Sequence, residues 1–123
     1  MTSPVTCLCG GAVVRMSSCP GPMSICMSPG YVFEGEVQQI NRLNGLAQDW
    51  PVGTTTRLRI SWGTGTEMIV PGVVAGSYLR FEMTGAETEQ IPRGALATID
   101  VNYDAGDPDL WRPWRAGNIT PCG

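Results

Sequence analysis

Thr56-Arg57-Leu58-Arg59-Ile60-Ser61-Trp62 is the stretch on which the fold turns. On an extended chain Leu58, Ile60 and Trp62 fall on one side and Arg57, Arg59 and Ser61 on the other. This is the period-two pattern of a strand with one face in a core and one in water. Gly63-Thr64-Gly65-Thr66 closes it as a hairpin loop. Glu67-Met68-Ile69-Val70 then reads as a short strand, and Pro71-Gly72 after it marks a sheet edge or a bulge before Val73-Val74, because proline cannot donate to a ladder.

The same period extends in both directions. Upstream, Tyr31 to Ile40 predicts a strand with Phe33 and Val37 on one face, followed by a turn at Asn41-Arg42-Leu43-Asn44-Gly45. Downstream, Tyr78 to Met83 places Leu79, Phe81 and Met83 inward. Thr84 and Glu87 have the spacing of a capping box, predicting one helical turn over residues 86–90 that ends at Pro92. Ala97, Ile99, Val101 and Tyr103 alternate with Thr98, Asp100 and Asn102, and a last strand runs from Trp111 or Trp114 to Ile119. Six or seven short strands punctuated by turns, with no strong amphipathic helix, predict an all-β domain: a two-sheet antiparallel β-sandwich. A small closed barrel leaves the same alternation.

The chain has 123 residues, enough for one hydrophobic core, and 42% hydrophobic against 15% charged residues, which is too apolar for disorder. Sixteen Gly and ten Pro favour turns over helix. The net charge is −3, whereas phosphate backbones are bound by clustered cations, so nucleic acid is not an expected partner. All eight positive charges are Arg, a bias that GC-rich coding produces. No run approaches the ~20 apolar residues of a membrane span, and the start lacks the basic and apolar regions of a signal peptide. Synthesis in the cytoplasm, with no membrane partner, is the expectation.

Residues 1–30 differ from the rest. They hold four of the five cysteines, four of the ten prolines and a single charge, Arg15. Residues 12–16 form the one strand-like piece. The segment is too poor in apolar periodicity to make a core, and predicts an extended cysteine-rich N-terminal arm (1–30) lying on a sandwich domain (31–123) or on a neighbouring subunit. Three readings of Cys7, Cys9, Cys19, Cys26 and Cys122 compete. Disulfides would tie down an arm with little buried surface, and five sulfurs allow fifteen ways of making two bonds. Zinc would need all four of Cys7, Cys9, Cys19 and Cys26, since the chain has no His, and their spacing lacks paired C-x-x-C. Reduced, buried thiols are the third. A nucleophilic cysteine needs a base or cation beside it, and only Arg15 is near in sequence.

Among the aromatic residues, Trp62 and Trp50 read as core. Trp111 and Trp114, alternating with Arg112, Pro113 and Arg115, read as interface candidates, since Trp and Arg are enriched at binding hot spots. The four tryptophans are alternatively a sugar-stacking platform. Asp100, Asp104, Asp107 and Asp109 have the composition of a cation loop but lack its ligand spacing, and turn chemistry accounts for them as well. Glu34, Glu36, Glu82, Glu87 and Glu89 offer carboxylates, yet nothing singles out the pair that glycoside cleavage requires. No Gly-rich stretch matches a phosphate loop. An enzyme is not expected.

Trp50-Pro51-Val52-Gly53-Thr54-Thr55 leading into the Arg57 to Trp62 strand, Leu79-Arg80-Phe81-Glu82-Met83-Thr84, Ile91-Pro92-Arg93-Gly94-Ala95 and Trp114-Arg115-Ala116-Gly117-Asn118-Ile119 together resemble the LtfC-like β-sandwich family of actinobacteriophage minor tail proteins. The resemblance covers roughly residues 31–120 and does not reach the arm. It implies a non-catalytic bacteriophage virion structural protein, assembled in the bacterial host cytoplasm. Its expected partners are other virion proteins of tail or capsid and copies of itself. The alternatives are a capsid decoration or cementing protein and a carbohydrate-binding receptor-recognition module.

Overall fold

The computed structural model describes residues 7–9, 13–17, 21–41, 43–104 and 106–120, with side chains described for residue 23 and from residue 25 onward within those ranges. The strands are β1 (Cys7–Cys9), β2 (Val13–Ser17), β3 (Gly21–Pro22), β4 (Ser24–Cys26), β5 (Phe33–Ile40), β6 (Thr55–Trp62), β7 (Thr66–Pro71), β8 (Val73–Ala75), β9 (Tyr78–Met83), β10 (Leu96–Asn102) and β11 (Arg112–Thr120). One short helix, α1 (Gly85–Glu89), separates β9 from β10. The larger sheet runs β1-β4-β11-β10-β6-β7, with β3 also beside β11, and the smaller runs β2-β5-β9-β8.

The two sheets form the expected β-sandwich. Leu58 and Ile60 from β6, Ala97, Ile99 and Val101 from β10, and Ile119 from β11 face Phe33 and Val37 from β5 and Leu79, Phe81 and Met83 from β9 in one buried cluster. Among the strands of the body, pairing is antiparallel. The segment before residue 27 adds parallel pairs: β1 with β4, β3 and β4 with β11, and β2 with β5. Met23, Ile25 and Met27 belong to the buried cluster, so the sandwich draws core residues from within the segment set apart by composition as 1–30.

The turns follow local chemistry. Gly63 and Gly65, with φ of 61° and 91°, make the β6–β7 hairpin, a backbone region that side chains with a Cβ rarely enter. Thr84 caps α1 through a hydroxyl that accepts from the Glu87 amide, while the Glu87 carboxylate accepts from the Thr84 amide. The Thr88 hydroxyl donates to the Tyr31 carbonyl at 2.8 Å, fastening the helix to the entry of β5.

Gly72 is the corner where the chain leaves the larger sheet at β7 and enters the smaller at β8. A Cβ there would lie 2.5 Å from the Phe81 ring and 2.7 Å from the Thr56 methyl, both held by neighbouring strands. Gly72→Ala is therefore expected to cost about 1–3 kcal/mol, the usual penalty for overpacking. Urea unfolding of the variant checks this, with Gly76→Ala as a control for backbone strain without a close apolar contact.

Candidate interaction surface

The two edges meeting at Gly72 are open. β7 pairs only with β6 and β8 only with β9, so among the described residues each leaves one side of its ladder without a strand. Ile69 on β7 is 47% exposed and Val73 on β8 is 60% exposed. Open edges with apolar side chains are templates for further pairing, and proteins that keep them exposed commonly blunt them with charge. Glu67 is the one charged residue on β7, and β8 has none.

The outer face of the larger sheet is built differently. Alternation turns Thr98, Asp100 and Asn102 away from the core, yet all three are buried. Asp100 lies opposite Arg57 in the β10–β6 register. Its Oδ2 accepts from Arg57 Nε at 2.9 Å and from Arg59 Nε at 3.0 Å, and its Oδ1 accepts from Arg59 Nη2 at 3.3 Å. The Arg57 guanidinium in turn stacks 4.3 Å from the centre of the Trp111 ring. The hydrogen bond to Asp100 holds the Arg59 pKa above its ordinary value against the opposing effect of burial, with Glu67 adding a smaller attraction. Because that pKa is raised, the contribution of Arg59 to stability is fully present below the arginine range and is lost only as pH rises through it.

The expected interface residues do not come together. Trp114 is 2% exposed and packs edge-on against buried Trp50, with ring centres 5.1 Å apart and planes at 84°. Arg112 is exposed, Trp111 is half-buried under Arg57, and the Arg115 guanidinium lies 5.1 Å from the Trp114 ring. The cause is a bulge: β10 and β11 shift register between Ile99 and Asp100, so Ile99 faces Arg115 while Asp100 faces Pro113. Trp114 is the extra residue, and the bulge re-aims it. The tryptophans consequently share no exposed platform. Trp62, read as core, is half-buried at the margin of the core, and lines an open groove of about 610 Å³ with Arg93 and Leu96.

The carboxylates are spread out. Glu36 pairs with Arg80 at 3.3 Å, Glu87 serves the helix cap, and Glu34 and Glu82, both exposed, face each other across β5 and β9. Asp104 accepts from the Gly106 amide and Asp107 from the Asp109 amide, both ordinary turn contacts. Among the described residues no group of three or more His, Cys, Asp or Glu is placed to hold a metal ion, and no helix is long and apolar enough to cross a membrane. Of the cysteines, Cys19 and Cys122 lie outside the described residues, and so do the side chains of Cys7 and Cys9. Cys26 is disulfide-bonded.

Sequence reading missed two features. The Arg57–Asp100–Arg59 cluster depends on a register that joins residues more than forty positions apart, and Asp100 offered only an outward place on a strand and membership of an acidic set. The apolar edge was partly readable, from Pro71-Gly72 beside Ile69 and Val73.

Comparison with known proteins fits this architecture. The N-terminal domain of phage TP901-1 ORF48 superimposes with a TM-score of 0.53, covering 90% of this chain and 97% of that one at 12% sequence identity, a likeness of fold. A search of curated protein sequences found no match. A family profile described as an LtfC-like, beta-sandwich domain matches residues 23–121. That span takes in β4 to β11 and the helix among them, with β1 to β3 lying before it, and the chain belongs to the LtfC-like beta-sandwich domain family.

Proposed function

We propose that this protein is a structural subunit of a bacteriophage particle, a minor tail component that works by packing against neighbouring virion proteins, copies of itself included. The observation that carries the reading is the open apolar edge at β7 and β8, where Ile69 and Val73 are exposed on strands that lack an outer partner among the described residues. Family membership and the likeness to a phage domain support it. In this reading the chain is assembled in the bacterial host cytoplasm, ends in the virion, and carries no catalytic function. The groove beside Trp62 brings together a single charged side chain, Arg93, and hydrolytic chemistry needs an acid and a base in reach of one bond.

The test is Ile69→Glu combined with Val73→Glu. Both side chains are exposed, so folding stability should stay within about 0.5 kcal/mol of wild type. Incorporation into particles, read by quantitative mass spectrometry, should fall about tenfold or more, the ratio that ~1.4 kcal/mol of lost contact energy produces. Undiminished incorporation would remove the edge from the contact. Particles lacking the wild-type chain, together with glycan binding abolished by Trp62→Ala, would favour a carbohydrate-recognition module instead.

A further inference from the structure

We infer that the disulfide at Cys26 joins it to Cys9, locking β1 onto the edge of the larger sheet. Cys26 is disulfide-bonded, and the chain offers four possible partners, Cys7, Cys9, Cys19 and Cys122. β1 and β4 are neighbouring parallel strands, and their register sets Cys9 beside Cys26 and Cys7 beside Ser24. Adjacent strands lie about 4.7–4.9 Å apart, inside the roughly 4.4–6.8 Å that a disulfide spans between Cα atoms. Cys7 is two residues further along, which at a rise of ~3.3 Å puts its Cα about 8 Å from that of Cys26, beyond the ~7 Å limit.

Orientation agrees. Ile25 and Met27 point into the core, so Cys26 between them points away from it, where its sulfur lies 3.9 Å from the Thr120 hydroxyl on β11. A residue on the outer face of a sheet is ordinarily open to water, but Cys26 is only 9% exposed, as it should be when a bonded neighbour covers it. In a disulfide Cys26 has no thiolate to give a metal, so the set Cys7, Cys9, Cys19 and Cys26 does not form a zinc site while the bond stands.

The bond is conditional on its surroundings. In a reducing cytoplasm both sulfurs are thiols. On meeting an oxidising medium they exchange with a small-molecule disulfide: the two protein thiols lose two protons and two electrons, one S–S bond forms between them, and the small disulfide is cleaved to two thiols. The edge strand is then fixed on oxidation rather than at synthesis. This pairing stands independently of the proposed place in a phage particle.

Peptide mapping under non-reducing conditions, with free thiols blocked by alkylation, tests it on the full chain. Cleavage after arginine gives fragments 1–15, 16–42 and 116–123, holding Cys7 and Cys9, Cys19 and Cys26, and Cys122 respectively. The expected product is 1–15 joined to 16–42, with backbone fragmentation assigning the link to Cys9 and Cys26. It should persist in the variant Cys7→Ser, Cys19→Ser, Cys122→Ser, whose Tm should fall by roughly 10 °C on adding reductant. Should that variant not fold, fragmentation of the wild-type link decides alone. A bond from Cys26 to Cys7, Cys19 or Cys122, or a chelator-sensitive zinc ion in place of any S–S bond, overturns the pairing.

Discussion

Trp114→Ala should lower the unfolding free energy by about 3–5 kcal/mol, the range for emptying a large aromatic site in a core. Trp114 is 2% exposed, so deletion leaves a cavity instead of a solvated gap, and removes the edge-on contact with Trp50. Trp50 also lies 6.3 Å from Tyr103, so the loss reaches a row of three rings at one end of the sandwich. Trp111→Ala is the matched control: its ring is only half-buried, and its main described contact is the stacked Arg57. About 1 kcal/mol is expected there. Urea denaturation followed by circular dichroism measures both. A Trp114 variant that loses no more than the Trp111 variant would put Trp114 at the surface.

Removing both cations from Asp100 should also be damaging. Arg57→Ala with Arg59→Ala strips the hydrogen-bond partners from a carboxylate that is 2% exposed, at a cost of about 2–3 kcal/mol, less than the ~3–5 kcal/mol of a charge left buried because the two side chains also cover it. The reverse change, Asp100→Asn, should cost less, about 1–2 kcal/mol, because the two guanidiniums are 24% and 33% exposed and can turn to water. The asymmetry separates a desolvated acid from an ordinary surface ion pair, which is worth ~1 kcal/mol or less from either side. Since the raised Arg59 pKa leaves that group charged at every pH below the arginine range, the cost of the double variant should not fall between neutral and mildly alkaline conditions. Equal losses from both directions would mean that the cluster is solvated.

Local chemistry was the readable part of the fold. Leu58 and Ile60, Leu79 and Phe81, and the Thr84–Glu87 cap lie where alternation and capping chemistry put them, since each depends on residues within a few positions. Interface candidate Trp114 did not, because one extra residue opposite the Ile99–Asp100 step changes the facing of all that precedes it on β11, and a bulge has no signature in Trp-Arg-Pro-Trp-Arg. Tyr103, expected to continue the inward set of β10, lies past the end of that strand and is exposed. Thr98, Asp100 and Asn102 were assigned correctly to the outward face, but their burial comes from Arg57, Arg59 and the loop after Asn102, which returns to accept its amide at the Asp107 carbonyl. The place of Ile25 in the core was unreadable for another reason. Its strand is three residues long, and pairs with Ile119 and Thr120 from the far end of the chain.

The candidate surface was less legible than the fold because it is made by what the topology leaves uncovered. Ile69 and Val73 flank the Pro71-Gly72 break that hints at an edge, but only the sheet order shows that no further strand pairs with theirs among the described residues. Arg112 and Arg115 drew notice by composition, yet the bulge turns their tryptophan neighbour inward and divides the group.

Quantitative mass spectrometry of intact, purified particles from cells that make this protein weighs the main conclusion most directly. If its task is contact between subunits, the chain will be present in a fixed number of copies per particle and will cross-link to its neighbours through residues 66–75. A chain that copurifies with no particle, or that cross-links only through the face bearing Trp111 and Arg57, would contradict the account.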